Sequence, residues 1–536
     1  MSGTLGRMLT TGLALGIVAA AATAGAAGLV PAGQVGPQGS GQVRNQGQPV
    51  NLEAAPTTLV CPPAPASADS TSTDPDFERT PVDVLTSVTA VGAGPPDGTA
   101  PALRGRSLPR ATQGRAQDGS ELAATDSETV SILRADGSGA SVVNLAAGDV
   151  SPLAALALTR TDAGDLAGLA ASSCTAPAAS SWLVGGAVEP GRSGRIILSN
   201  PGQSTVTADL RVLTPQGATS PPAAQALVVA AGSTREILLE GLVGDQPAVA
   251  VEVQASGGAL AAAMVETDID GVEPQGVEHV QATAAATRSV IPGVLTGAGA
   301  TLRLANPSEQ PVVVGWQLLG RDGAPGAGAA TGSGTGAGSV TTVGAGAVLD
   351  IALETLASGP DDRVPAPVAV VVSSEVPVLA AVQLTVPREG ASERAWVPPA
   401  PVVPGEALVV LGPAGVRSHL SMAAGDEGAQ VSLRGTGADG APVGQESTFA
   451  VDAGSVLTTV LPVDAVAVRV TVTSGTLHAA QVLTAEPADG LSNSLVSVVP
   501  VQVPPGSQRQ LLVGALAEDS LRRQATAGGA ASQSLP

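Results

Sequence analysis

Apolar and polar positions alternate along much of this chain with a period of two. In Ala248–Val265, AVAVEVQASGGALAAAMV, the residues Val249, Val251 and Val253 fall on every second position. That spacing marks a strand with one buried face. The pattern returns in VAVVVSSEVPVLAAVQL, Val368–Leu384, and in AVAVRVTVTSGTLHAAQVL, Ala465–Leu483. Each of these two-strand blocks has a Ser-Gly or Ser-Glu centre, which predicts a hairpin-like turn.

A turn-led apolar stretch precedes each block: Leu227–Leu242, Thr342–Leu356 and Ala450–Val463, with Gly232, Gly346 and Gly454 at the same place. Before these comes a third element. RIILSNPGQSTVTADLRVLTPQG, Arg195–Gly217, aligns without a gap on TLRLANPSEQPVVVGWQLLGRDG, Thr301–Gly323, at a constant offset of 106 residues. A third copy, His419–Gly440, has lost the Asn-Pro pair. A fourth, more degraded copy precedes them, with Ser141–Leu145 and Leu156–Ala171 matching the second and third blocks. A long internal period means one structural unit was copied. Seven or so short strands in about a hundred residues fit an immunoglobulin-like sandwich.

The expected fold is therefore all-β: a tandem array of about four immunoglobulin-like β-sandwich modules after an N-terminal apolar segment. The modules are placed at 58–175, 180–286, 289–398 and 400–503. Residues 1–30 read as a signal peptide or signal anchor, 31–57 as a disordered linker and 504–536 as a flexible tail. Leu511–Arg523 suits a short helix, and Gly323–Ser339 a floppy loop. Strung end to end, modules of about 40 Å each would make a rod. Asn200-Pro201 and Asn306-Pro307 read as turns between strands: Asn turns through its own side chain, and Pro fixes φ and has no N–H for a ladder.

Composition adds limits. Hydrophobic residues make up 44% and charged ones 13%, enough apolar material for several cores. With no Tyr, two Phe and three Trp, those cores must be built from Val, Leu, Ala and Ile. The net charge of −21 argues against a nucleic-acid partner, because neutralising phosphates needs clustered cations. Arg104, Arg106, Arg110 and Arg115 lie in a presumed loop, Gly92–Glu128. They could touch head groups or anionic wall polymers, although a solvated loop is the simpler reading.

Leu9–Val30 carries no charge, follows Arg7, and is long enough to span a bilayer. Small residues around Ala22–Ala26 also permit cleavage, so anchor and cleaved signal both stay open. Either way the remainder is expected to be exported. Cys61, in LVCPPAP, and Cys174, in LAASSC, are the only cysteines. A pair at the two edges of one module of an exported protein most simply forms one disulfide.

Catalytic sets are missing from the sequence. His279, His419 and His478 are far apart, and there is no nucleophile elbow, phosphate loop or paired-His zinc motif. No enzyme and no cofactor are expected. Glu266, Asp268, Asp270 and Glu273 form the densest acid cluster and are a calcium candidate, although the full calcium-loop spacing is absent. Trp182, Trp316 and Trp396 read as core or interface anchors.

An apolar N-terminus, a low-complexity tether, a Cys61-Pro-Pro strand, and Asn200-Pro201 and Asn306-Pro307 after strands together resemble an uncharacterised family of exported actinobacterial proteins. That family is known only as a domain of unknown function. The resemblance covers roughly Thr58 to Val503, implies a cell-envelope location and carries over no functional residue. The expected function is a non-enzymatic envelope protein that binds or scaffolds through its β modules. Its partner would be an envelope protein or wall polymer, with the membrane reached through residues 9–30. The alternative is a glycan-binding or accessory protein of an envelope glycosyltransferase or wall-polymer pathway.

Overall fold

Leu153–Thr161 is apolar at consecutive positions, LAALALT, which a strand with one wet face does not need. The computed structural model explains why. Ala155 and Ala157 face a core that contains Cys61 and Cys174, while Ala154, Leu156 and Leu158 face a different sheet. Both faces of the strand are buried, and this recurs across the protein. The structure describes residues 48–51, 57–66, 84–94, 98–109, 120–146, 151–162, 164–271, 273–295, 298–320, 339–353, 367–388, 391–403, 405–486, 494–503 and 510–513. Among them there is no α-helix, and no helix long and apolar enough to cross a membrane. The apolar segment 9–30, most of the linker and most of the loop Gly323–Ser339 lie outside the described residues.

The chain divides into two compact units, Asn51–Arg509 and Met1–Val50 with Gln510–Pro536. Around the smaller unit, Gln48–Asn51 pairs with Gln510–Val513. Leu511–Val513 is thus strand where a helix was expected; the rest of that helix lies outside the described residues.

Within the larger unit one pairing scheme recurs in four stretches of chain. In the second, the eight main strands are Ser180–Val184, Arg192–Asn200, Val206–Thr214, Leu227–Val229, Ser233–Leu238, Ala250–Ser256, Ala261–Asp270 and Glu273–Thr283, with a short ninth, Gly217–Thr219, beside Val206–Thr214. The fourth, third, sixth and first strands form one layer and the fifth, second, seventh and eighth the other, and the two are joined at Trp182 and Leu183, which pair with Thr283 and Ala282. The first stretch repeats this order with Thr57–Cys61, Thr86–Ala93, Leu103–Leu108, Glu121–Leu122, Val130–Gly137, Ala140–Leu145, Leu153–Thr161 and Gly168–Ser173. In the third, the sixth and seventh strands fuse into Pro367–Arg388, and the stretch ends on Ala391–Val397. The fourth fuses its second and third strands as Val416–Thr436 and its sixth and seventh as Ala467–Ala485, ending on Leu495–Pro500.

Three sequence expectations change here. The Ser-Gly and Ser-Glu centres are not hairpins. The sixth strand pairs with the first and third, the seventh with the second and eighth, so the chain crosses between sheets at these centres. The degraded copy is also shifted by one block: Ala140–Leu145 and Leu153–Thr161 are its sixth and seventh strands, the third block rather than the second. Arg104 and Arg106 lie on a strand, Leu103–Leu108, rather than in a loop; Arg110 and Arg115 fall outside the described residues.

Nor do the four stretches make a rod. Val60, Leu108, Ala140 and Val142 of the first pack on Ala261 of the second. The core of the second takes in Ala305, Val348, Leu379, Ala381 and Trp396 of the third. Val290, Leu319, Ala369 and Val371 of the third meet Ala423 and Val456 of the fourth. Leu408, Val410 and Ala467 of the fourth return to Val91, Ile132 and Leu156 of the first. Each time, the sheet holding one stretch's first and sixth strands lies on the sheet holding the next stretch's second and seventh. The apolar outer faces of the strands drive this, because burying both faces removes them from water. The stacking closes on itself.

Candidate functional site

The closing strands of the four stretches, Gly168–Ser173, Glu273–Thr283, Ala391–Val397 and Leu495–Pro500, meet inside this closed stack. The first of them pairs on one side only, with Leu153–Thr161. Its free edge presents the N–H groups of Leu169, Ala171 and Ser173, every second residue, toward the other three strands. A buried N–H without a partner is costly. No fourth strand satisfies these groups; side chains do. Leu169 N donates to Glu393 Oε1 at 2.8 Å. Ala171 N donates to Ser497 Oγ at 3.1 Å and to Glu278 Oε1 at 3.3 Å. Ser173 N donates to Gln281 Oε1 at 3.1 Å. One strand edge is thus held by residues from three other stretches. Ser173 Oγ donates to the Pro500 carbonyl and Gln281 Nε2 to that of Val498, at 2.9 and 3.4 Å.

Two of these side chains are buried acids. Glu393 is fully buried, and burial pushes its carboxyl up to about 8 against the pull of Leu169 N–H and Arg388. Glu278 is pushed well above the usual carboxylate range, again by burial, with Ser497 and the His279 and Ala171 N–H groups opposing and Glu393 adding to the rise. Ser497 Oγ lies 2.7 Å from Glu278 Oε2. Arg388 Nη1 approaches Glu393 at 3.4 Å. His279, next along the strand, is fully buried, and neither ring nitrogen has a hydrogen-bond partner among the described residues. Burial lowers its pKa to about 4, so it is neutral at pH 7. Backbones approach closely here. At Gly276, φ +113°, an added Cβ would sit 2.7 Å from Arg394 N, a conformation and a gap that favour glycine.

Of the four calcium candidates, Glu266 and Asp268 are engaged with other side chains. Glu266 accepts hydrogen bonds from Arg192 and from the Trp396 indole N–H. Asp268 pairs with Arg394 at 2.6 Å. Asp270 and Glu273 face each other across the strand turn, apart from those pairs. No group of three or more His, Cys, Asp or Glu residues with metal-binding geometry occurs among the described residues.

The Asn-Pro turns are joints between stretches. Asn200 is fully buried; its Nδ2 donates to the carbonyls of Ser204 and Val229 and its Oδ1 accepts from Gly202 N. Asn306 repeats this with Gln310, Val343, Gly344 and Ser308. An arginine of the preceding stretch then donates to the proline carbonyl: Arg106 to Pro201, and Arg211 to Pro307 at 3.2 Å. Arg303 ties the same junction. It is 1% exposed, forks onto Asp350 with both bonds at 2.8 Å, donates to Gly186 O at 2.6 Å, and lies 4.8 Å over the Trp396 ring. Trp182 and Trp396 are buried as anchors. His478 is half-buried and its Nδ1 lies 2.8 Å from Ala400 O. Cys61 and Cys174 form a buried disulfide with Cα atoms 4.2 Å apart, closer than the about 5.5 Å typical of such bonds.

The sequence reading passed over Glu278, Gln281 and Glu393. A signal was present: GVEHVQA and SERAWV place ionisable residues inside otherwise apolar strands, where a charge is rare unless paired. The fold and hub define an all-β protein of face-packed sheets locked by a buried polar centre. Residues 130–463, more than half the chain, match the family of unknown function DUF5719, and the protein belongs to that family. No curated protein and no solved structure matches the chain.

Proposed function

We propose that the protein is an exported, non-enzymatic component of the cell envelope, acting as a rigid binding or scaffold body of four immunoglobulin-like sandwich modules. The observation that carries this reading is the use made of the buried polar groups. Glu278, Gln281, Glu393, Ser497 and Arg303 all bond backbone atoms or partners in neighbouring modules. Their chemistry holds the body together. The buried disulfide is compatible with a compartment outside the cytoplasm, and the uncharged segment 9–30 would supply the export signal. The immunoglobulin likeness rests on the pairing of second with fifth and third with sixth strands; the first and seventh strands sit on the sheets opposite to those of that fold. An envelope protein or wall polymer is the partner class that suits this address. The glycan-binding alternative would use aromatic stacking, and two of the three tryptophans are buried.

Fractionation with added protease tests the proposal. The protein should be found in the membrane or wall fraction, and should be cut by protease added outside wall-stripped cells. Recovery from the cytosol, protected from that protease, would discard it.

A further inference from the structure

Glu278 and Glu393 converge on the free edge of Gly168–Ser173. They accept from Ala171 N and Leu169 N, two amides that in an extended strand stand about 7 Å apart. Two carboxylates this close, both buried, resist being ionised together. The charged groups facing them are few. Arg388, from the long strand of the third module, reaches Glu393 alone. Arg394 and Arg192 are taken up by Asp268 and Glu266. His279, on the same strand as Glu278, is neutral. The strands Gly168–Ser173 and Leu495–Pro500 bring no ionisable side chain. One cation therefore faces two acids.

We propose that the hub is a proton-controlled latch: with a proton retained on the Glu278–Glu393 pair the first module is held to the other three, and loss of that proton releases its closing strand. Burial of both carboxyls and their raised pKa values agree with retention at neutral pH. The step is a simple transfer of one proton to water. It leaves two buried negative charges against Arg388. The Leu169 and Ala171 N–H groups favour the ionised carboxyls but do not offset the burial of both charges, and opening the hub to water relieves it. The first module is the part that moves, because both acids are anchored on the second and third modules and its closing strand has a strand partner on one side only.

Hydrogen exchange on the full chain tests this. Between pH 6 and 9, exchange at Leu169 and Ala171, corrected for the intrinsic base-catalysed rate, should rise at least about tenfold, the equivalent of one pKa unit of coupling. Exchange at Val88 and Ala90, inside the first module, should stay flat. The double variant Glu278→Gln, Glu393→Gln keeps an acceptor oxygen at each site without a charge, and should abolish the pH dependence. An unchanged pH dependence in that variant would overturn the latch, as would loss of protection at Val88 in step with Leu169, which is global unfolding. Infrared spectroscopy of the wild type decides the matter if the variant does not fold. A buried protonated carboxyl band present at pH 6 and lost toward pH 9 supports the proposal; its absence at pH 6 overturns it.

Discussion

Asn306→Ala separates a turn residue from a joint. A residue that merely favours a turn costs about 1 kcal/mol when replaced. Asn306 does more. It is fully buried, its Nδ2 donates to Gln310 O at 2.7 Å, Gly344 O at 2.9 Å and Val343 O at 3.3 Å, and its Oδ1 accepts from Ser308 N and Oγ at 3.0 and 2.7 Å. Alanine removes all of these from a fully buried position. Several hydrogen bonds at about 1 kcal/mol each give about 3 kcal/mol. Pro307 follows directly and receives Arg211 from the second module, so the damage should reach the junction as well. Asn306→Asp is the control: it keeps the acceptor, loses the donor, and sets a carboxylate against carbonyl oxygens. It should cost at least as much as alanine. Urea midpoints, supported by exchange of the Gly186 and Val249 neighbourhood, give both numbers. A loss of about 1 kcal/mol or less for alanine, or a milder effect for aspartate, would refute the argument.

Three further outcomes are expected. Reducing Cys61–Cys174 opens a loop of 113 residues and should destabilise the first module by about 5 kcal/mol in the chain-entropy model; two reactive thiols in the oxidised, unfolded protein would contradict the bond. Leu198→Ala, in a fully buried core position, should cost about 2–5 kcal/mol by urea denaturation. His279 has a folded pKa of about 4 against an ordinary 6.5. The stability it contributes is therefore present above pH 6.5 and lost as pH falls through 4, about 3 kcal/mol for the shift. His279→Gln should lose less stability than wild type between pH 7 and 4, and equal losses would count against the burial argument.

Much of the strand content was legible, and the partners of the strands were not. The offset between Arg195–Gly217 and Thr301–Gly323 identified the repeat because strand periodicity and turn residues are local properties. Which sheet a strand joins is not local. The Ser-Gly centre after Ser256 has the composition of a hairpin, yet it carries the chain from one sheet to the other; the same small residues serve both purposes. The first module was misaligned because it lacks Asn-Pro, the marker shared by the second and third, and its remaining blocks are more degraded than those of the fourth. Apolar residues on both faces, as in Leu153–Thr161, hinted that every sheet is covered twice, but a doubly covered strand can be covered by anything. Glu266 and Asp268 drew attention as neighbours in sequence, while Glu278 and Glu393 meet only because strands more than a hundred residues apart are brought together.

Closure of the stack also sets an order of events during folding. The face of the first module formed by Val91, Ile132 and Leu156 finds its cover in Leu408, Val410 and Ala467. Those residues leave the ribosome some three hundred positions later. At about 5–20 residues per second the first module waits at least fifteen seconds with that face bare. Contacts of such long sequence separation form slowly, so the exposed interval is longer still, and the sticky face is open to wrong partners throughout. The Cys61–Cys174 bond lies within the first module alone, so its formation does not need the last module in place. Once formed, the bond would keep that module folded until its neighbour docks.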